Sequence, residues 1–157
     1  MRTVRLEIRF AAADPVAAFR AIADFAAFPD LAEDVRTVQV HPGTVRNSDW
    51  TVNFRRGLMR WNEWEIVDVD RLRIEFGQTD GDFAEFGGHW QLAAIEGGCA
   101  VRFEVGFDFG IESLAGLMDP IADRVITRVI CSVLTGLFGD ITVVEGGESL
   151  VDLARTA

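Results

Sequence analysis

The chain has 157 residues and a formal net charge of −10, from 25 acidic and 15 basic side chains. This length suits one domain with an ordinary core. The negative charge repels nucleic-acid phosphates and anionic lipid headgroups, so we expect no nucleic-acid partner. We also expect no membrane span, because the longest weakly charged stretch, 125–138, contains Arg128 and is shorter than the roughly 20 residues that cross a bilayer. Cys99 and Cys131 are isolated thiols, which favours a reducing cytoplasm.

A strand and a short helical region are predicted first along the chain. Residues 3–10 alternate apolar and charged side chains, the period of a half-buried strand. Asp14 and Pro15 then supply an N-cap and a proline at the first helical position. Apolar residues recur at helical spacing until Pro29, and the bend at 28–31 has room for one more helical turn. We therefore predict two short helices after the first strand.

Six further strands are predicted between residues 35 and 109, which with the first makes seven. The segments are 35–41, 49–55, 58–68, 71–78, 84–95 and 99–109. Short turn signals separate them, which is typical of an antiparallel meander. After Gly110 the apolar period becomes that of a long helix ending near Gly139. Pro120 predicts either a kink in this helix or a separate first turn.

The order of these elements indicates an α+β fold. A seven-stranded antiparallel sheet with one apolar face buries that face by curling around the long C-terminal helix. We predict a single domain over residues 1–140. Residues 141–157 are predicted to be a C-terminal tail with a short helix-like end, which frays or packs on a partner.

Four segments carry, in order, the pattern of a known superfamily. They are 24–31 (Asp-Phe-Ala-Ala-Phe-Pro-Asp-Leu), 81–83 (Gly-Asp-Phe), 89–90 (His-Trp) and the alternating strand 101–109. Over roughly residues 3–140 the chain resembles the START-like (SRPBCC) superfamily, in particular its polyketide cyclase/aromatases and coenzyme Q-binding proteins. The resemblance implies a helix-grip fold that encloses a ligand cavity.

Aromatic side chains on the inward faces of this fold are predicted to line the cavity and bind substrate, together with one methionine. The residues are Phe28, Trp50, Phe54, Trp64, Phe76, Trp90, Phe103 and Met118. Inward aromatic residues also fill ordinary cores, so a packed core is the alternative interpretation for each of them.

The strand 58–68 carries a tryptophan on each face, so alternation alone does not select its inward face. One face has Arg60 and Asn62, and the other has Glu63 and Glu65. Because two carboxylates cost more to bury than one guanidinium and one amide, we predict that Arg60 and Asn62 point inward. As catalytic residues, Arg60 would polarise a ketone or stabilise an enolate, and Asn62 would hold a carbonyl. The alternative places Arg60 at the pocket mouth or in a salt bridge.

The resemblance and the predicted cavity favour a cofactor-independent polyketide cyclase/aromatase. It would bind a poly-β-ketone or related polycarbonyl, delivered by an acyl carrier protein, and promote regiospecific cyclisation and dehydration, as in antibiotic biosynthesis. The first alternative is a non-catalytic carrier of a quinone or lipid. The second is a homodimerising module with a vestigial cavity. No spacing of His, Cys or Asp indicates a metal site.

Overall fold

The fold is an antiparallel sheet wrapped around one long helix, and the computed structural model describes residues 1–148 of it. The strands are β1 (Arg2–Phe10), β2 (Val35–His41), β3 (Arg46–Phe54), β4 (Gly57–Asp68), β5 (Arg73–Gly81), β6 (Glu85–Ile95), β7 (Gly98–Asp108) and β8 (Ile141–Glu145). The helices are α1 (Pro15–Ala23), α2 (Phe28–Leu31) and α3 (Glu112–Phe138), with a 3₁₀ turn at Phe25–Ala27.

The sheet has the order β2-β3-β4-β5-β6-β7-β1-β8. Each strand from β2 to β6 pairs antiparallel with the next in the chain, and β1 pairs antiparallel with β7. The inner face packs on α3, where Val133 and Leu134 are fully buried against the core. The predicted α+β helix-grip fold, with a meander around a long helix and short helices after β1, is confirmed.

The number of strands is corrected from seven to eight. Residues Ile141–Glu145, predicted as the start of a tail, form β8 and pair with β1, with Phe10 opposite Ile141. Gly139, at a φ of 79°, ends α3 and turns the chain back toward β1. Because β1 is far away in the chain, the local sequence of the five-residue β8 gives no indication of this pairing. The predicted helix-like end of the tail lies outside the described residues.

The sequence predicted a cap for α1 at Asp14 and a kink or break in α3 at Pro120. Asp14 caps α1 as predicted, since its Oδ1 accepts hydrogen bonds from the backbone N–H groups of Val16 and Ala17 at 3.0 and 3.3 Å. α3 runs without interruption through Pro120, so the separate first turn is not observed. The carbonyl that Pro120 leaves without a donor belongs to Gly116, which is exposed and therefore open to water.

Gly88 on β6 is required by a close approach of two strands. A Cβ at this position would overlap the backbone carbonyl oxygen of Glu104 on β7. We expect Gly88→Ala to destabilise the fold by roughly 2–4 kcal/mol, because the backbone has to shift. In Gly106→Ala the new Cβ meets the flexible end of the Met1 side chain, so this control should change the free energy of unfolding by less than about 1 kcal/mol. Urea unfolding checks both values, and equal midpoints would contradict the prediction.

Candidate functional site

The sheet and α3 enclose a cavity of about 80 Å³. Its walls are mostly aromatic rings, with apolar side chains of α3 closing one side. The lining residues are Phe25, Phe28, Trp50, Val52, Phe54, Met59, Trp61, Glu63, Phe76, Phe83, Phe86, Trp90, Phe103, Ala122, Val125, Ile126, Val129 and Ile130. Such a lining suits an apolar ligand with few polar groups.

The β3–β4 hairpin builds the wall of the cavity that carries polar groups. Trp50 on β3 lies directly opposite Trp61 on β4, and their rings stack with centroids 5.5 Å apart and an interplanar angle of 6°. The edge of Phe25 packs on Trp50 at a centroid distance of 5.4 Å. This cross-strand stacking turns both tryptophans inward and therefore sets which face of β4 meets the cavity.

Two glutamates share that inner face of β4. Glu63 is 3% exposed and lines the cavity, and Glu65, two residues further, is 0% exposed and lies behind it. Of the described residues that line the cavity, Glu63 alone carries an ionisable side chain. Buried carboxyl groups are costly unless they are paired and hydrogen-bonded, so their partners decide whether the arrangement is stable.

Glu65 receives its partners from β3. Arg46, opposite it in the sheet register, donates from Nε to Glu65 Oε1 at 2.6 Å. Ser48, which is fully buried, donates its hydroxyl hydrogen to the second oxygen, Oε2. Arg46 also donates from Nη1 to the carbonyl oxygen of Ala23 at 2.6 Å and lies 4.6 Å from the ring centroid of Phe25. The Glu65 carboxylate is therefore compensated by a cation held in place on three sides.

Glu63 has a different environment: among residues 1–148 it has one indole donor and no cation in direct contact. Trp61 Nε1 donates to Glu63 Oε1 at 2.8 Å. Burial raises the pKa of Glu63 well above its ordinary value, and the hydrogen bond and the negative charge of Glu65 raise it further. Burial and the neighbouring carboxylate therefore favour the protonated form of Glu63, whose carboxyl group faces the cavity.

Most of the residues predicted to bind substrate do line the cavity. They are Phe28, Trp50, Phe54, Phe76, Trp90 and Phe103. Met118 does not, because the contribution of α3 to the wall begins one turn later, at Ala122. Whether any of these side chains binds a ligand stays a prediction.

The predicted inward face of β4 is wrong. Arg60 is exposed, and Asn62 forms hydrogen bonds with Asn47 and Asp49 on the outer face. Trp64 also lies outside, with its ring over Gly77. None of the three lines the cavity. The other face is less costly to bury than β4 alone indicates, because Glu65 is paired with donors on β3 and Glu63 accepts a hydrogen bond from an indole.

Glu63, Glu65, Arg46 and Ser48 were not predicted as site residues. A signal for them exists in the hairpin register. Closing the turn with Phe54 opposite Gly57 places Arg46 opposite Glu65 and Ser48 opposite Glu63. Considering the two strands as a pair would have placed both donors of β3 beside the carboxyl groups of β4.

A family model described as "Polyketide cyclase / dehydrase and lipid transport" matches residues 11–133 of this chain, which include the cavity walls and the hairpin. The chain belongs to this family. The START-like resemblance of the sequence is thereby confirmed. Among proteins with curated descriptions, none has a sequence that matches this family member.

Solved structures share the fold over nearly the whole chain. TTHA0849 from Thermus thermophilus has 23% sequence identity and a TM-score of 0.76, with 99% of this chain and 100% of that chain covered. The Zhui aromatase/cyclase from Streptomyces sp. R1128 has 14% identity and a TM-score of 0.72, covering 97% and 95%. A START superfamily protein from Mycobacterium smegmatis has 12% identity and a TM-score of 0.73, covering 87% and 96%. These structural similarities establish the fold, and at such low sequence identities they carry no statement about the activity.

Two further observations concern membranes and metals. Within residues 1–148, none of the helices has the length and apolar character needed to cross a bilayer. In the same part of the chain, His, Cys, Asp and Glu side chains do not gather in a group of three that could hold a metal ion.

Proposed function

We propose that this protein is a polyketide cyclase that folds a poly-β-ketone or related polycarbonyl compound in its apolar cavity and promotes regiospecific cyclisation and dehydration. One observation carries the proposal: among the described residues, the buried carboxyl group of Glu63 stands in the wall of an otherwise apolar cavity. A carboxylic acid donates a hydrogen bond to a ketone oxygen and passes a proton to it, which is the general-acid chemistry that both reactions need.

The energetic cost of the site supports a chemical role for Glu63. A protein that only shelters an apolar compound needs apolar walls, whereas two buried carboxyl groups and a guanidinium lose several kcal/mol of hydration. Well-packed apolar residues in their place are often neutral or stabilising. A polar contact with the ligand gives these groups a function that the fold itself does not require.

The aromatic walls supply the other half of the proposed catalysis. Holding two reacting carbons near attack distance contributes roughly 7–11 kcal/mol in well-oriented intramolecular reactions. Rings from β3, β5, β6 and β7 surround the cavity, so a flexible polycarbonyl chain would be forced to bend within it. We propose that the bend selects the ring that closes and that the acid completes the step.

The size of the cavity implies that the protein opens to admit its ligand. Its volume of about 80 Å³ is below the roughly 150 Å³ of an engineered cavity that binds benzene, and well below the 300–1,000 Å³ of typical ligand pockets. The N-terminal end of α3 is poorly covered, since Leu114 and Leu117, and Ile111 just before the helix, are exposed. We propose that this end of α3 moves outward when the substrate arrives from an acyl carrier protein.

A non-catalytic carrier is the second candidate function. The observation that favours it is the wall itself, which apart from Glu63 is apolar among the described residues. In a carrier of a quinone or lipid, Glu63 would donate a hydrogen bond to a carbonyl oxygen without transferring its proton.

The test compares product mixtures from a polyketide synthase that releases an uncyclised poly-β-ketone. With the wild-type protein added, we expect one cyclised and dehydrated product to dominate, measured by liquid chromatography and mass spectrometry. Glu63→Gln keeps the size of the side chain but removes the acid, so the rate should fall roughly 10²–10⁴-fold. Glu85→Gln, a matched change at an exposed glutamate on β6, should leave the rate unchanged.

The same set of proteins separates the cyclase from the carrier. Quenching of tryptophan fluorescence by 1,4-naphthoquinone reports binding, because three of the four tryptophans line the cavity. Binding of the quinone by both wild type and Glu63→Gln, with an unchanged polyketide mixture, would replace the cyclase with the carrier.

A further inference from the structure

The direction of each hydrogen bond in the buried polar cluster can be assigned from its donors. An indole N–H only donates, and Trp50 Nε1 lies 2.8 Å from Ser48 Oγ. Ser48 therefore accepts from Trp50 and uses its own hydrogen on Glu65. Arg46, which also only donates, occupies the other oxygen of Glu65. Both oxygens of Glu65 accept hydrogen bonds, so Glu65 is the ionised carboxylate of the cluster.

The proton of the pair then belongs to Glu63. Its Oε1 accepts from the donor-only indole of Trp61, and its buried carboxyl group lies on the same face of β4 as that of Glu65, two residues away. Two neighbouring buried carboxyl groups repel each other unless one of them keeps a proton. Arg46 balances one negative charge, and a second buried charge would have no partner.

We propose that Glu63 and Glu65 form one proton-sharing acid–base pair, in which Glu63 exchanges protons with a β-hydroxy ketone and Glu65 positions and holds that proton. This inference rests on the proposed cyclase function and identifies the groups that carry out its dehydration step. Glu63 is the catalytic residue, because it lines the cavity. Glu65 acts through Glu63 and is a positioning residue, as are Ser48 and Arg46.

The dehydration balances with a single proton on the pair. The proton of Glu63 moves to the hydroxyl group of the substrate, the carbon–oxygen bond breaks, and water leaves. The carbon–hydrogen bond next to the ketone breaks, its electron pair forms the new carbon–carbon double bond, and its proton returns to the carboxyl pair. The pair ends as it began, with one proton, and the step consumes no oxidant, reductant or cofactor.

Glu65 is expected to act on the pKa of Glu63. Within the described residues, Glu65 on β4 and Arg46 on β3 are the charged groups that act on Glu63. Glu65→Gln removes the anion that holds the proton and leaves Arg46 without its partner. The pKa of Glu63 should therefore fall, because both changes favour its carboxylate. A merely structural role for Glu65 predicts no such change in the titration of Glu63.

The first experiment uses the full-length protein without ligand. Infrared spectra resolve the C=O stretch of a protonated carboxyl group from the bands of carboxylates. We expect this band at neutral pH in the wild type, its loss in Glu63→Gln, and its shift to lower pH in Glu65→Gln. The matched Glu85→Gln change at an exposed site should retain it. A missing band in the wild type, or a band that survives in Glu63→Gln, would overturn the proposal.

The second experiment separates this inference from the cyclase function. With the polyketide mixture, Glu65→Gln should lower dehydration at neutral pH by roughly tenfold or more and move the alkaline limb of the pH profile to lower pH. A profile that keeps its shape would overturn the role of Glu65. If Glu65→Gln does not fold, Glu65→Asp separates the carboxyl groups by one methylene and should move the profile in the same direction. Because the infrared band needs no substrate, its failure differs from a failure of the cyclase assay.

Discussion

Replacing Arg46 with alanine is expected to destabilise the fold by about 3–5 kcal/mol, because it leaves the carboxylate of Glu65 buried without a counter-charge. The side chains of Arg46 and Glu65 are 17% and 0% exposed, and their atoms Nε and Oε1 are 2.6 Å apart. The same substitution removes the hydrogen bond to the carbonyl oxygen of Ala23, which joins the end of α1 to β3. Urea unfolding followed by circular dichroism measures the change.

A second arginine provides a matched control for this substitution. Arg128 Nε lies 2.7 Å from Asp34 Oδ2, a comparable distance, but the two side chains are 41% and 20% exposed. Ion pairs open to solvent contribute about 0–1 kcal/mol, so Arg128→Ala should destabilise the protein by no more than about 1 kcal/mol. Equal decreases in the free energy of unfolding of the two variants would show that the buried position of Arg46 adds nothing to the stability.

The stability of the protein is expected to fall as the pH rises, because of Glu63. Its pKa is raised in the folded state, so its contribution is fully present below the ordinary glutamate pKa of about 4.3 and is lost as the pH rises through the folded value. Between these two values the loss approaches about 1.4 kcal/mol per pH unit. Glu63→Gln cannot ionise, so its stability relative to the wild type should increase with pH over this interval.

Urea unfolding of both proteins from about pH 5 to about pH 8 measures this difference. A constant difference between Glu63→Gln and the wild type would mean that Glu63 is ionised in the folded protein.

Local patterns predicted the greater part of the fold. Alternation over 3–10 predicted β1, the cap at Asp14 and Pro15 predicted α1, and the change of period after Gly110 predicted α3. These patterns succeed because a strand or helix that buries one face repeats its apolar residues at a fixed interval. The same alternation placed Trp50 and Phe76 on the inner surface, where they line the cavity.

The inner face of β4 could not be predicted from that strand alone. Each face carries a tryptophan, and the cost of burying Glu65 depends on Ser48 and Arg46, which lie 17 and 19 residues away from it on β3. Counting the carboxylates without these donors favoured Arg60 and Asn62, which the structure places outside. The free-energy cost of burying a polar group on one strand depends on its hydrogen-bond partners on the neighbouring strand, so it cannot be judged from one strand alone.

The sequence by itself determined the class of fold, the order of elements up to α3 and most of the aromatic wall, because these follow from the local period of apolar residues. Only the tertiary structure decided that Ile141–Glu145 is a strand, since its partner β1 is more than a hundred residues away. It also decided that the carboxyl group of Glu63 stands in the cavity wall, because cross-strand register and burial arise only when β3 and β4 are packed against α3.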